Sequence, residues 1–184
     1  MTGSTSRFQQ PLPDELGPEQ RRLYDAIVDG PRGGPASPDG KLRGPFGPML
    51  LSPAVGHPIQ ALGAALRYGS ALPARAREIA TLLVAHRCDS AYEWAAHAAH
   101  GRAVGLTESE IASLRTSEPA AADQVEEAVV LATLSLLDDG DLPEPLYLDA
   151  ERLLGAAGLF DLVALVGYYR MLAAVLAVYR IPPG

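Results

Sequence analysis

No stretch of this chain alternates apolar and polar residues with a period of two, and β-branched residues are few. A half-buried sheet needs that alternation, so the sequence leaves helices as its regular structure. Apolar residues instead recur at helical spacing in one segment after another. PEQRRLYDAIVDG places Pro18 in a first turn, keeps Leu23, Ile27 and Val28 in register and ends at Gly30. PIQALGAALRYGS carries Ile59, Leu62, Ala65 and Leu66, and LPARAREIATLLVAHR reads as an amphipathic helix with Ile79, Ala80, Leu82 and Leu83 on one side. SAYEWAAHAAHGRAVG is rich in alanine, the best helix former, and ends at Gly105. Thr107 with Glu110 three residues on forms a capping box for a short helix through Leu114. DQVEEAVVLATLSLLDDG, EPLYLDAERLLGAAG and LFDLVALVGYYRMLAAVLAVYR complete an all-α fold of about seven helices.

Two segments stand outside this series. Residues 1–17 are polar and proline-bearing and are expected to form a flexible arm ahead of a single helical domain over 18–184. From Pro31 to Pro48 glycine and proline dominate, which predicts a long loop; Phe46 and Met49 inside it favour packing back on the body.

A length of 184 residues suits one domain with a proper core. The net charge of −7, with no basic run longer than a pair, argues against nucleic acid and anionic membrane surfaces. The N-terminus lacks the apolar core of a secretory signal. Asp161 and Arg170 interrupt the apolar C-terminal stretch, which falls short of the roughly 18 uninterrupted apolar residues of a spanning helix, so a buried helix is expected. That helix is apolar nearly all round and the alanine-rich helices can pack closely, which together predict a homo-oligomer: a dimer, trimer or hexamer. A single cysteine, Cys88, precludes an internal disulfide and suits a cytoplasmic location.

The polar residues that could carry chemistry are concentrated between Glu78 and His100. Three of the four histidines, His86, His97 and His100, fall within fifteen residues. Glu93, His97 and His100 stand at i, i+4 and i+7 and so share one helix face, set among alanines that let neighbouring helices approach. Burial there would raise a carboxylic acid's pKa and lower an imidazole's, the condition for acid–base work near neutrality. The same pair on a solvated face would be a weak surface contact, and His86 at a helix C-terminus suits a capping role.

The run RAREIATLLVAHRCDSAYEWAAHAAHGRAVGLTESEI resembles the signature segment of the carboxymuconolactone decarboxylase and alkylhydroperoxidase D superfamily. In the peroxidase branch that segment reads Glu–x11–Cys–x2–Cys–x3–His. On this chain the glutamate falls on Glu78, the cysteines on Ser90 and Glu93, and the histidine on His97. The Gly-Pro loop with its following helix and the terminal GYYRMLAAVLAVYRIPPG are also similar to that family, extending the likeness over about residues 20–182. The resemblance implies an alkylhydroperoxidase D-like helical bundle. Both redox cysteines are replaced, and Cys88 lies two residues ahead of the first, so thiol peroxidase chemistry lacks its nucleophile and its resolving thiol.

Two carboxylates and a histidine suit proton transfer. With the resemblance they imply a lyase or isomerase, free of metal and cofactor, acting on a small cyclic or unsaturated acid. In that reading His97 is the general acid/base, Glu78 orients it, Glu93 is a second acid/base, and Tyr92 and Ser90 donate hydrogen bonds to the substrate. Arg43, in the Gly-Pro loop, is the candidate to hold a substrate carboxylate, with Arg67 beside it. Two alternatives stand: a metal-dependent enzyme using Glu93, His97 and His100, and a non-catalytic oligomeric member that binds a small ligand.

Overall fold

A computed structural model describes residues 6–31 and 36–182. The described residues are helical and contain no strand; one isolated antiparallel bridge joins Ala36 and Leu42. A short 3-10 turn, Pro13–Glu15, precedes eight α-helices: α1 (Pro18–Val28), α2 (Phe46–Met49), α3 (Pro53–Tyr68), α4 (Ala74–Arg87), α5 (Ala91–Ala103), α6 (Glu108–Ser113), α7 (Gln124–Asp138) and α8 (Glu144–Tyr179). They form two compact units, one of Met1–Gly69 with Ala174–Gly184 and one of Ser70–Ala173.

In the first unit α1 buries Leu23 and Ile27, the apolar positions its spacing marks, and packs on α3. The first five residues of the expected arm and residues 32–35 of the expected loop lie outside the described residues. Of the rest of the arm, Arg7 N–H donates to the Tyr179 carbonyl at 2.9 Å and Leu12 N–H to the Glu15 carboxylate at 2.7 Å. The loop is more ordered than its composition suggests. Phe46–Met49 closes a helical turn whose Gly47, Pro48 and Met49 are buried. Helix α3 also begins earlier than its apolar pattern does. Pro53 is its first residue, ahead of the Pro58 that opens the segment read from sequence, so His57 stands inside the helix. Gly56 permits this packing: a Cβ there would come within 2.6 Å of a Leu23 methyl and 2.7 Å of the Met49 carbonyl.

In the second unit α4 packs on α5 and α7, and α5 meets α6. The expectation of an amphipathic α4 is corrected: Ala76 and every residue from Glu78 to Ala85 are buried. Neighbours cover the helix on several sides, so its polar positions Glu78 and Thr81 are interior ones. Leu82 and Leu83 are essentially inaccessible, each contributing on the order of 2 kcal/mol relative to exposure.

Helix α8 is broken at Gly155, whose φ of 71° only glycine adopts at little cost. By length and composition alone it could cross a membrane. Leu159, Leu162, Leu165, Val166 and Leu172 are nevertheless buried in this chain, while Phe160 and Val163 on its other side are exposed.

Candidate functional site

The site is built on the turn between α4 and α5, three residues long. Helix α4 ends in a Schellman motif: Asp89 N–H donates to the His86 carbonyl at 3.1 Å and Ser90 N–H to the Ala85 carbonyl at 2.8 Å. Asp89 takes the left-handed position at φ 51°, which a short polar side chain tolerates better than most. Ser90 then starts α5 at once, its carbonyl accepting from Trp94 N–H at 2.9 Å. The tight reversal brings the middle of α5 against the middle of α4.

Glu78 and His97 meet there. His97 Nδ1 lies 2.7 Å from Glu78 Oε2, and both residues are buried. When Glu78 is ionised its carboxylate can only accept; Nδ1 then carries the proton and Nε2 is the nitrogen left for a reacting partner. Among the described residues Nε2 has no hydrogen-bond partner. The Tyr169 ring of α8 stands edge-on to the His97 ring at 4.9 Å, and the His100 ring does so at 5.5 Å. These contacts fix the plane of the imidazole.

Glu93, one turn before His97, is the most unusual group of the chain. It is 3% exposed, and neither carboxylate oxygen has a hydrogen-bond partner. Burial pushes its pKa up to about 7; the nearby Ser90 hydroxyl opposes the rise but closes no well-formed hydrogen bond, its own oxygen being buried and unpaired. Ser90-x-x-Glu93 has the spacing of a capping box, and the turn explains why none forms. The box needs the N-cap backbone N–H, and the Ala85 carbonyl has taken that of Ser90. Glu93 is left with nothing to bond.

Cys88 caps α4 in this turn and is half-buried. Burial raises its thiol pKa, the Glu93 charge raises it further, and Arg170 opposes both. A thiol held in its neutral form is a poor nucleophile. The Trp94 ring is covered by the Arg115 guanidinium at 3.8 Å and stands edge-on to the His86 ring at 6.3 Å.

Of the residues singled out from sequence, Glu78, Ser90, Tyr92, Glu93 and His97 all belong to the second unit, with Tyr92 half-buried on α5. Arg43 and Arg67 belong to the first unit, Arg43 exposed and Arg67 stacked on the Tyr68 ring at 5.6 Å. Among the described residues no three histidine, cysteine, aspartate or glutamate side chains are grouped to hold a metal ion, so Glu93, His97 and His100 are not gathered as a ligand set. A cleft of about 420 Å³ in the second unit, lined by Leu142, Tyr147, Leu159 and Phe160, includes none of the acid–base residues. Tyr169 was not singled out from sequence, since it lies on α8, far along the chain from His97.

No curated protein matches the chain at a significant level. The family model described as carboxymuconolactone decarboxylase family matches residues 53–134, which contain α4, α5 and the whole Glu78–His97 arrangement. Together with the helical fold, that match identifies residues 53–134 as a carboxymuconolactone decarboxylase-family segment, consistent with the wider alkylhydroperoxidase D-like superfamily.

Proposed function

We propose that this protein is a cofactor-free acid–base enzyme that decarboxylates, or moves a proton within, a small cyclic or unsaturated acid of lactone type. One observation carries the reading: a buried His97–Glu78 pair at 2.7 Å with an unpartnered carboxyl, titrating near neutrality, one turn away on the same helix. Structural ion pairs are normally satisfied. A buried pair beside an unsatisfied group of tuned pKa is the arrangement acid–base catalysis uses.

The roles follow from the chemistry of each group. His97 Nε2 takes a proton from a carbon made acidic by a neighbouring carbonyl, and Glu78 stabilises the imidazolium that forms. In a decarboxylation the electrons of the breaking C–C bond pass into the conjugated carbonyl, carbon dioxide leaves, and the enolate accepts a proton at carbon. Glu93, protonated below about pH 7, is the donor for that step. Ser90 and Tyr92 hydrogen-bond the substrate. The exposed Phe160 and Val163 on α8 support a homo-oligomer, and the single cysteine supports a reducing cytoplasm.

The test is a panel of α,β-unsaturated γ-lactone carboxylic acids in D2O, followed by NMR for deuterium incorporation and carbon dioxide release. Turnover is expected with at least one member, falling about 100-fold or more in His97→Gln and less in Glu78→Gln. A His97→Gln variant with wild-type rates, or a panel without turnover, rejects the proposal.

A further inference from the structure

We propose that Arg170 is the anion-recognition residue of this site, holding the carboxylate of the substrate in front of Glu93 and His97. The inference deepens the acid–base reading and rests on it for the kind of substrate. An acidic substrate approaching Glu78 and Glu93 meets carboxyl groups and needs a cation to hold it.

The second unit offers few cations. The chain's one lysine is Lys41, so arginine must serve. Arg75 is held by Glu110 and Glu126, Arg87 by Asp138, Arg102 by Glu108 and Arg152 by Asp149. Arg77 reaches the Leu72 carbonyl and Arg115 lies on the Trp94 ring. Only Arg170 makes no hydrogen bond, ion pair or ring contact among the described residues.

Its position fits the role. It follows Tyr169, whose ring stands 4.9 Å from that of His97, and it is exposed. Its charge acts on the same Cys88 thiol as that of Glu93, with opposite sign, which puts the three groups in one neighbourhood. A helical side chain leans back over the preceding turn. There Gly167 shares the face of Arg170, and a Cβ on it would meet nothing within 4 Å, so the space is open. A guanidinium also matches a carboxylate with two parallel hydrogen bonds, which an ammonium cannot do.

Cys88 supplies the test, since it is the chain's only cysteine. Its reaction rate with an aromatic dicarboxylate disulfide, 5,5′-dithiobis(2-nitrobenzoate), is compared with that of the neutral 4,4′-dithiodipyridine. The ratio of the two rates cancels changes in thiolate fraction and isolates attraction for the anion. At low salt the ratio is expected to fall about fivefold in Arg170→Gln, to recover in part in Arg170→Lys, and to shrink with added salt. An unchanged ratio in Arg170→Gln, with the fold intact by circular dichroism, overturns the proposal. So does an equal fall in Arg43→Gln. The ratio is read without turnover, so a failed lactone panel leaves this result standing, and an unchanged ratio leaves the acid–base test standing.

Discussion

Three glutamates in the second unit occupy the same place in their helices, the third residue of the first turn, and meet two different fates. Glu110 of α6 closes a capping box with Thr107, accepting from Thr107 N–H at 2.7 Å, and pairs with Arg75 at 2.7 Å. Glu126 of α7 is buried but accepts from Arg75 Nε at 2.8 Å and from Ala122 N–H at 2.9 Å. Arg75 further donates to the Gly105 carbonyl, tying the start of α4 to both helices. Those bonds hold Glu110 down to about 2, with the Thr107 contacts first and the Arg75 bond after them. Glu93 of α5 has none of these partners, and burial alone sends it the other way. The residue type and the helix position are the same in all three. What differs is whether the preceding backbone N–H is free and whether an arginine stands opposite, and that difference separates a satisfied carboxylate from an unpartnered one whose pKa burial raises.

The comparison can be broken from either side. Arg75→Ala should have the largest effect, a loss of about 3 kcal/mol in chemical denaturation, because it leaves Glu126 buried without its cation. A loss below about 1 kcal/mol would mean the network is a surface feature. Glu93→Gln should do the reverse. The raised folded-state pKa means the native protein holds a proton that the unfolded chain releases above about pH 4.5. Wild-type stability therefore falls as pH rises from about 4.5 through about 7. At pH 8 the variant should be more stable by on the order of 3 kcal/mol, the gain vanishing below about pH 4.5. A constant difference across that range would remove the titration from Glu93. The smallest effects concern the two caps. Thr107→Ala should cost about 1 kcal/mol, since its hydroxyl accepts from Glu110 N–H. Ser90→Ala should be within about 0.5 kcal/mol of neutral, since its hydroxyl makes no such bond. Equal costs at the two positions would show that a capping box does form at α5.

Much of the helical layout was legible in the sequence. Pro18, the Thr107–Glu110 box and the helical spacing of Leu23 and Ile27 act locally, and the helices they announce are there. The misreadings were tertiary. Helix α4 reads as amphipathic because Glu78 and Thr81 interrupt its apolar run, yet packing on several sides buries both. Pro53 starts α3 ahead of its apolar positions because a proline suits a first turn, and the close approach at Gly56 could not be seen without its neighbours. At the site, the family spacing singled out Glu78, Glu93 and His97. It could not show that Glu93 lacks partners, because that depends on which carbonyl captures the Ser90 N–H. Tyr169 and Arg170 belong to a helix more than seventy residues further along the chain, and no local pattern connects them to His97.

The most direct test of the account is the titration of Glu93 itself, read from the side-chain carboxyl carbons of 13C-labelled protein. One glutamate should titrate at about 7, and its signal should be absent from Glu93→Gln while the others stay in place. If every glutamate titrates at or below about 4.5, or if the signal near 7 persists in Glu93→Gln, then Glu93 is an ordinary ionised carboxylate and the acid–base reading of this site is wrong.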